Sequence, residues 1–189
     1  MPIIRFHFAT ALDEPMRRLW ERCWPAVEPG TLLGSSGIVL AASVDGECRA
    51  AACLLPGETS PLVDWWAGEF GAVGYLSPWL ACHGTRGPNL KQLLVIRCLL
   101  AAGDLGYASL ATEVIRGHKH AQLLADLGFA SVGNASGELA RWVGDKCLPM
   151  LGLVAWTDPT GSERPHWESH WGHGLRRLAK LGYEVQRGG

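Results

Sequence analysis

An apolar run ending at Cys82 and an apolar helical run beginning at Leu90 are joined by His83-Gly84-Thr85-Arg86-Gly87-Pro88-Asn89. A loop that feeds a helix N-terminus aims unpaired backbone N–H groups at one point, and the helix dipole adds positive potential there. That arrangement holds anions such as phosphates. Gly84 and Gly87 let the backbone approach a ligand closely, and Arg86 supplies charge. Further along, Glu113 ends an apolar strand, and His118 and His120 flank the start of the next helix. A carboxylate and an imidazole in those places can exchange protons with a reacting amine or a water. They fit equally well a solvated strand end and a helix start facing water.

Three other groups invite chemistry. Cys82 and His83 are adjacent, so on a strand their side chains point to opposite faces and make a poor nucleophile–base pair. His166, His170 and His173 stand at i, i+4 and i+7. On one helix they share a face and can approach a metal, but no carboxylate or cysteine completes the set, so no metal site is assigned. Trp167 and Trp171 occupy neighbouring positions, and the same pattern describes a helix docked by its tryptophans with histidines at the rim. Asp64 and Glu69 are carboxylates within reach of an acceptor-binding side.

The elements that must position these residues follow from patterning. Ile3–Phe8 alternates as a first strand. Asp13 caps a helix reaching about Trp24, with Glu14 and Pro15 in its first turn. Residues 30–37 form a Gly/Ser/Thr loop. Asp45-Gly46 joins Ile38–Ser43 to Cys48–Leu55 as a hairpin. Ala72–Cys82 is a strand interrupted by Ser77-Pro78, which signals an edge, a bulge or a break. Leu90–Leu105 is a helix closed by Gly106, Tyr107–Ile115 a strand, Gly117–Leu127 a helix, and Phe129–Gly133 and Glu138–Val143 two last strands around a turn. The order is β-α-β-β-β-α-β-α-β-β. Residues 1–144 read as one domain. Residues 145–189 read as a Trp/His-rich extension of strand, loop and helix (about His166–Leu181) packed on it.

The 189-residue chain is 48% hydrophobic and 19% charged, enough to bury a core without disulfides or metal. The longest apolar run falls far short of the ~20 residues that span a membrane, and Met1–Arg5 lacks a signal pattern. Six scattered cysteines without a C-x-x-C pair read as reduced thiols of a cytoplasmic protein. The net charge is −1, yet residues 1–74 carry nine acidic and five basic residues, whereas residues 75–120 carry two and five. A locally basic centre suits an anionic ligand.

The sequence Leu80-Ala81-Cys82-His83-Gly84-Thr85-Arg86-Gly87, the helix after it, Leu110–Val114, and His118-x-x-Ala121-x-x-Leu124-x-x-Leu127-Gly128-Phe129 together resemble the GNAT acyltransferase superfamily. The resemblance runs from Ile3 to about Val143. It implies an α+β (mixed α/β) fold with a central, mostly antiparallel sheet flanked by helices and splayed between its fourth and fifth strands. It implies transfer of an acyl group from acetyl-CoA, or another acyl-CoA, to a small-molecule or macromolecular amine. Ala81, Cys82, His83, Gly84, Thr85, Arg86, Gly87 and Asn89 would bind the cofactor, with Glu113 and His118 as the catalytic pair. Pro88 and Asn89 stand where the family has further glycines, and Leu124 stands near the position of its usual tyrosine acid. Asn89, Glu113 and Gly117-His118 are similar to features of the phage Mom-like DNA-modification branch. Base modification on nucleic acid is therefore one alternative, and a degenerate scaffold that binds a partner is another. The reduced-thiol reading predicts six titratable thiols in freshly purified, denatured protein without reductant. Four or fewer would contradict it.

Overall fold

A computed structural model describes residues 1–27, 37–60, 71–77, 81–83, 89–131, 140–143, 146–157 and 164–187, with side chains left aside over 140–149 and at 187. Several expectations lie outside these residues: most of the loop at 30–37, Asp64, Glu69, Gly84–Pro88, and the turn between the last two expected strands.

The described strands are β1 (Ile3–Ala9), β2 (Ile38–Val44), β3 (Glu47–Pro56), β4 (Val73–Leu76), β5 (Ala81–Cys82), β6 (Ser109–Ile115), β7 (Ala130–Ser131), β8 (Ala140–Val143), β9 (Lys146–Trp156) and β10 (Glu184–Arg187). The helices are α1 (Glu14–Cys23), α2 (Leu90–Asp104), α3 (Lys119–Asp126) and α4 (Arg164–Lys180). The sheet runs β10-β1-β2-β3-β4-β6-β9-β7, with β5 on β3 and β8 on β9. Pairing is antiparallel except for β1–β10 and β4–β6. The expected mixed, mostly antiparallel sheet flanked by helices is therefore present.

Local chemistry explains the elements. Asp13 Oδ1 accepts from the Met16 N–H at 2.9 Å and caps α1, whose first turn holds Glu14 and Pro15. The Asp45-Gly46 turn places both residues at positive φ, 50° and 83°, as a two-residue hairpin requires. Alternation along the strands divides the core. Val39, Ala41, Ala51, Cys53 and Tyr75 pack with Met16, Leu19 and Trp20 of α1. Leu40, Ala42, Ala50, Ala52, Leu54 and Leu110 pack with α2 on the opposite face. α2 is buried on most sides, as a helix covering the middle of a sheet must be.

The chain from residue 145 onward does more than extend the fold. β9 pairs with β6 from Ser109↔Trp156 to Ile115↔Met150, well inside the sheet, and its other end pairs with β8 across residue 144. β7 and β8, expected to be neighbours across a turn, both pair with β9 instead. The eleven-residue β9 offers enough edge for all three partners, which a local turn signal does not disclose. β10, unexpected from the sequence, closes the far edge in parallel with β1. α4 docks through buried Trp167 and Leu178, with Trp171 edge-on to Phe6 at 4.9 Å, while His166, His170 and His173 stay exposed. The tryptophan-docked reading of this helix is the one observed. No described helix is long and apolar enough to cross a membrane.

The Cys23, Cys48, Cys53 and Cys98 thiols are free. Gly103 of α2 leaves no room for a side chain, since a Cβ there would lie 2.7 Å from the Thr157 carbonyl oxygen. Thr157 cannot easily yield, because its N–H donates to Ala108 O and its hydroxyl to Tyr107 O. Gly103→Ala should therefore lower unfolding stability by about 1–2 kcal/mol despite alanine's better helix propensity. Chemical denaturation measures this, and an unchanged or raised midpoint would contradict the packing.

Candidate functional site

The site begins where two parallel strands stop pairing. β4 and β6 pair from Val73↔Ser109 to Leu76↔Thr112. There the Thr112 hydroxyl donates to the Leu76 carbonyl at 2.8 Å and ends the ladder. Beyond that point β5 stays on β3, through Ala50↔Cys82 and Ala51↔Ala81, while β6 stays on β9 as far as Ile115. Leu76 and Ala81 are five residues apart, whereas their β3 partners Leu54 and Ala51 are three apart. Ser77-Pro78 fall in this interval, which holds two more residues than the facing stretch of β3. β5 and the end of β6 share no pairing among the described residues.

Glu113 lies on β6 just past the last β4 pair, and it is only 1% exposed. The Tyr75 hydroxyl donates to its Oε1 at 3.0 Å. Tyr75 belongs to the core cluster under α1, which puts Glu113 on that face of the sheet. A buried carboxylate needs such donors, because desolvation otherwise disfavours its charge. Sequence reading singled out Glu113 but not Tyr75. The two are 38 positions apart, and only the parallel neighbourhood of β4 and β6 joins them.

The start of α2 forms the second part. Asn89 caps it: its Oδ1 accepts from the Gln92 N–H at 3.1 Å and its amide donates to Gln92 Oε1 at 3.2 Å. Asn89 therefore orders the helix end, leaving the N–H groups of the first turn ahead of it to face the loop. Ala81 is fully buried in the core, and the exposed His83 ties its N–H to Arg49 O at 3.0 Å. Gly84, Thr85, Arg86 and Gly87 lie outside the described residues.

The third part joins two helix starts. His118 caps α3, its Nδ1 accepting from the His120 N–H at 3.3 Å, with the two rings edge-to-face at 4.2 Å. His120 Nε2 contacts Lys91 Nζ on the first turn of α2. Both are half-buried, and Lys91 has no carboxylate partner among the described residues. Burial, with Lys119 nearby, lowers the Lys91 pKa. Burial and then the Lys91 cation depress His120 to about 4, and the same causes lower His118. Lys91 entered the sequence reading only as one charge in the basic centre. Of that centre, Lys91 and Lys119 meet here, while Arg97 stands over the Phe8 ring. By contrast, burial pushes the Cys48 and Cys53 thiols up to about 12, so they are inert. The α4 histidines do not converge on a point: the His166 and His170 rings pack edge-to-face at 4.3 Å, and His170 and His173 border a small cleft with Asn89 and Arg177. Leu124, where the superfamily's tyrosine acid was sought, is core.

No protein-family model matches the chain, and no curated protein does. Solved structures do. FeeM, an N-acyl amino acid synthase from uncultured soil microbes, is 16% identical over 93% of this chain and 99% of that one, with a TM-score of 0.65. A GNAT family acetyltransferase from Elizabethkingia anophelis with acetyl-CoA bound is 16% identical over 81% and 97%, TM-score 0.58. The chain has the GNAT fold. BjaI, a CoA-dependent acyl-homoserine lactone synthase, is 14% identical and is matched over 100% of this chain and 94% of that one, TM-score 0.56. The acetyltransferase match covers less of the chain than the two synthase matches. The splay of the GNAT sheet between its fourth and fifth strands corresponds here to the parting of β4 and β5 from β6.

Folding costs His120 proton affinity, so the stability its neutral form provides is complete above about pH 6.5 and is lost as pH falls toward about 4. Proton-detected titration should show one imidazole, removed by His120→Gln, that stays neutral to about pH 4. The variant should also flatten the acid limb of stability between those limits. An ordinary titration for His120 would contradict its placement against Lys91.

Proposed function

We propose that this protein is an N-acyltransferase that moves an acyl group from a CoA thioester to an amine. The observation that carries the reading is the parting of β5 from β6 with the buried, Tyr75-bonded Glu113 set in it. The edges of a parted sheet present backbone N–H groups that can polarise a thioester carbonyl, and an amine brought there reacts as though at very high concentration. Glu113, directly or through a water, takes the proton from the acceptor ammonium. The freed amine attacks the carbonyl carbon, the C–N bond forms, the C–S bond breaks, and the thiolate leaves and picks up a proton. Because His118 already uses Nδ1 as a cap, its part is to orient α3 and His120 or to act through Nε2.

The donor's diphosphate fits the start of α2. Two helix N-termini meet there, Lys91 lacks a carboxylate partner among the described residues, and Arg86 and the glycines of residues 84–87 follow β5 in sequence. These features support an acyl-CoA donor and weigh against a scaffold that has lost it. The N-acyl amino acid synthase and the GNAT family acetyltransferase among the similar solved structures favour acyl transfer over DNA base modification. The fuller coverage by the two synthases, one of them an N-acyl amino acid synthase, favours an amino acid or a similar small amine as acceptor.

Acetyl-CoA should bind in calorimetry, more weakly in Arg86→Ala and with a shallower salt dependence. Thiol release with a panel of amino acids and amines should then reveal turnover. Glu113→Gln should reduce the rate by roughly 10²–10⁴ with donor binding little changed. No binding at millimolar acetyl-CoA would remove the donor reading, and full turnover by Glu113→Gln would remove Glu113 as the base.

A further inference from the structure

We propose that Lys91 and His120 together grip the diphosphate of the donor, and that donor binding draws one proton from solvent onto His120. The inference rests on the acyl-CoA reading above and adds two binding residues and a pH response that the reading does not contain.

The geometry carries it. Lys91 Nζ and His120 Nε2 are in contact between the first turns of α2 and α3. In such a contact one nitrogen donates and the other must offer a lone pair, so the pair carries one charge rather than two. Lys119 and His118 on α3 add to the repulsion, and from α1 and β5 the nearby titratable groups are the thiols Cys23 and Cys82. No described carboxylate relieves it. Half-buried positive charge without a counter-ion is costly, and it is tolerated where an anion completes the site. The free protein limits the cost by keeping His120 neutral.

A diphosphate diester brings two negative charges. Those charges, beside the pair, offset the repulsion from Lys91 and favour the charged imidazole against the cost of its burial. His120 binds a proton from solvent, the Lys91 contact opens, and both cations face phosphate oxygens in charge-assisted hydrogen bonds. Proton binding and donor binding then favour one another.

The test uses dephospho-CoA, which keeps the diphosphate but lacks the phosphate monoester that would itself titrate near neutrality. Calorimetry of the full chain at pH 6, in buffers of different ionisation enthalpy, counts the protons taken up. If the bound imidazole returns to its ordinary range, uptake should be about 0.7 proton, and affinity should rise about threefold from pH 7 to pH 6. His120→Gln should abolish the uptake while still binding, and Lys91→Gln should weaken binding several-fold. Binding without proton uptake, or undiminished uptake in His120→Gln, overturns the inference and leaves the acyltransferase reading standing. Failure of both CoA and dephospho-CoA to bind overturns the two together.

Discussion

The end of the β4–β6 ladder at Leu76 and Thr112 is the constraint on which the rest of the site depends. A parallel pair buried on both faces ordinarily continues until one strand ends. Here both strands continue, each held by a different neighbour: β5 by β3, and β6 by β9. Thr112 closes the last step with a side-chain hydrogen bond to the Leu76 carbonyl.

The site's contents follow from that geometry. Glu113 is the first residue of β6 beyond the ladder, so it remains within the packed sheet while bordering open backbone. Tyr75, one residue before the ladder's end on β4, supplies it a donor. α2 and α3 both start at this end of the sheet, because each helix follows one of the two parted strands. Their N-termini therefore meet by topology. Lys91 and His120 meet for the same reason, and their shared confinement explains why His120 is neutral. Carboxylate and cation cluster thus mark two regions, one suited to managing an acceptor proton and one suited to an anionic donor.

The C-terminal chain supports this frame. β9 is the far wall that keeps β6 in place past Thr112, and without it the last three residues of β6 would have no partner on either side among the described residues. α4 lies against α2, with Gly174 close to Leu93, and Arg164 pairs with Asp104 at 2.9 Å near the opposite end of α2. The segment after residue 145 is thus part of what fixes α2, and hence the anion-facing turn, in position.

Much of this was local enough to be legible in the sequence. The Asp13 cap, the Asp45-Gly46 turn, the apolar α2 with Asn89 before it, and the break at Ser77-Pro78 are each set by a few consecutive residues. So is Glu113's place in an apolar strand, although the strand runs two residues past it, to Ile115, instead of ending there. The sequence alone also separated the docking tryptophans of α4 from its rim histidines, since helical spacing assigns them to different faces. Tertiary structure decided what touches what across the chain. β9 entered the sheet beside β6, although nothing near residue 150 names its partner. Tyr75 met Glu113, and Lys91 met His120, across 38 and 29 positions. Local propensity and periodicity say which face of an element is buried, but strand order and the crossing of helices are settled by burying the whole core at once. It is that collective packing which places two unneutralised nitrogens together.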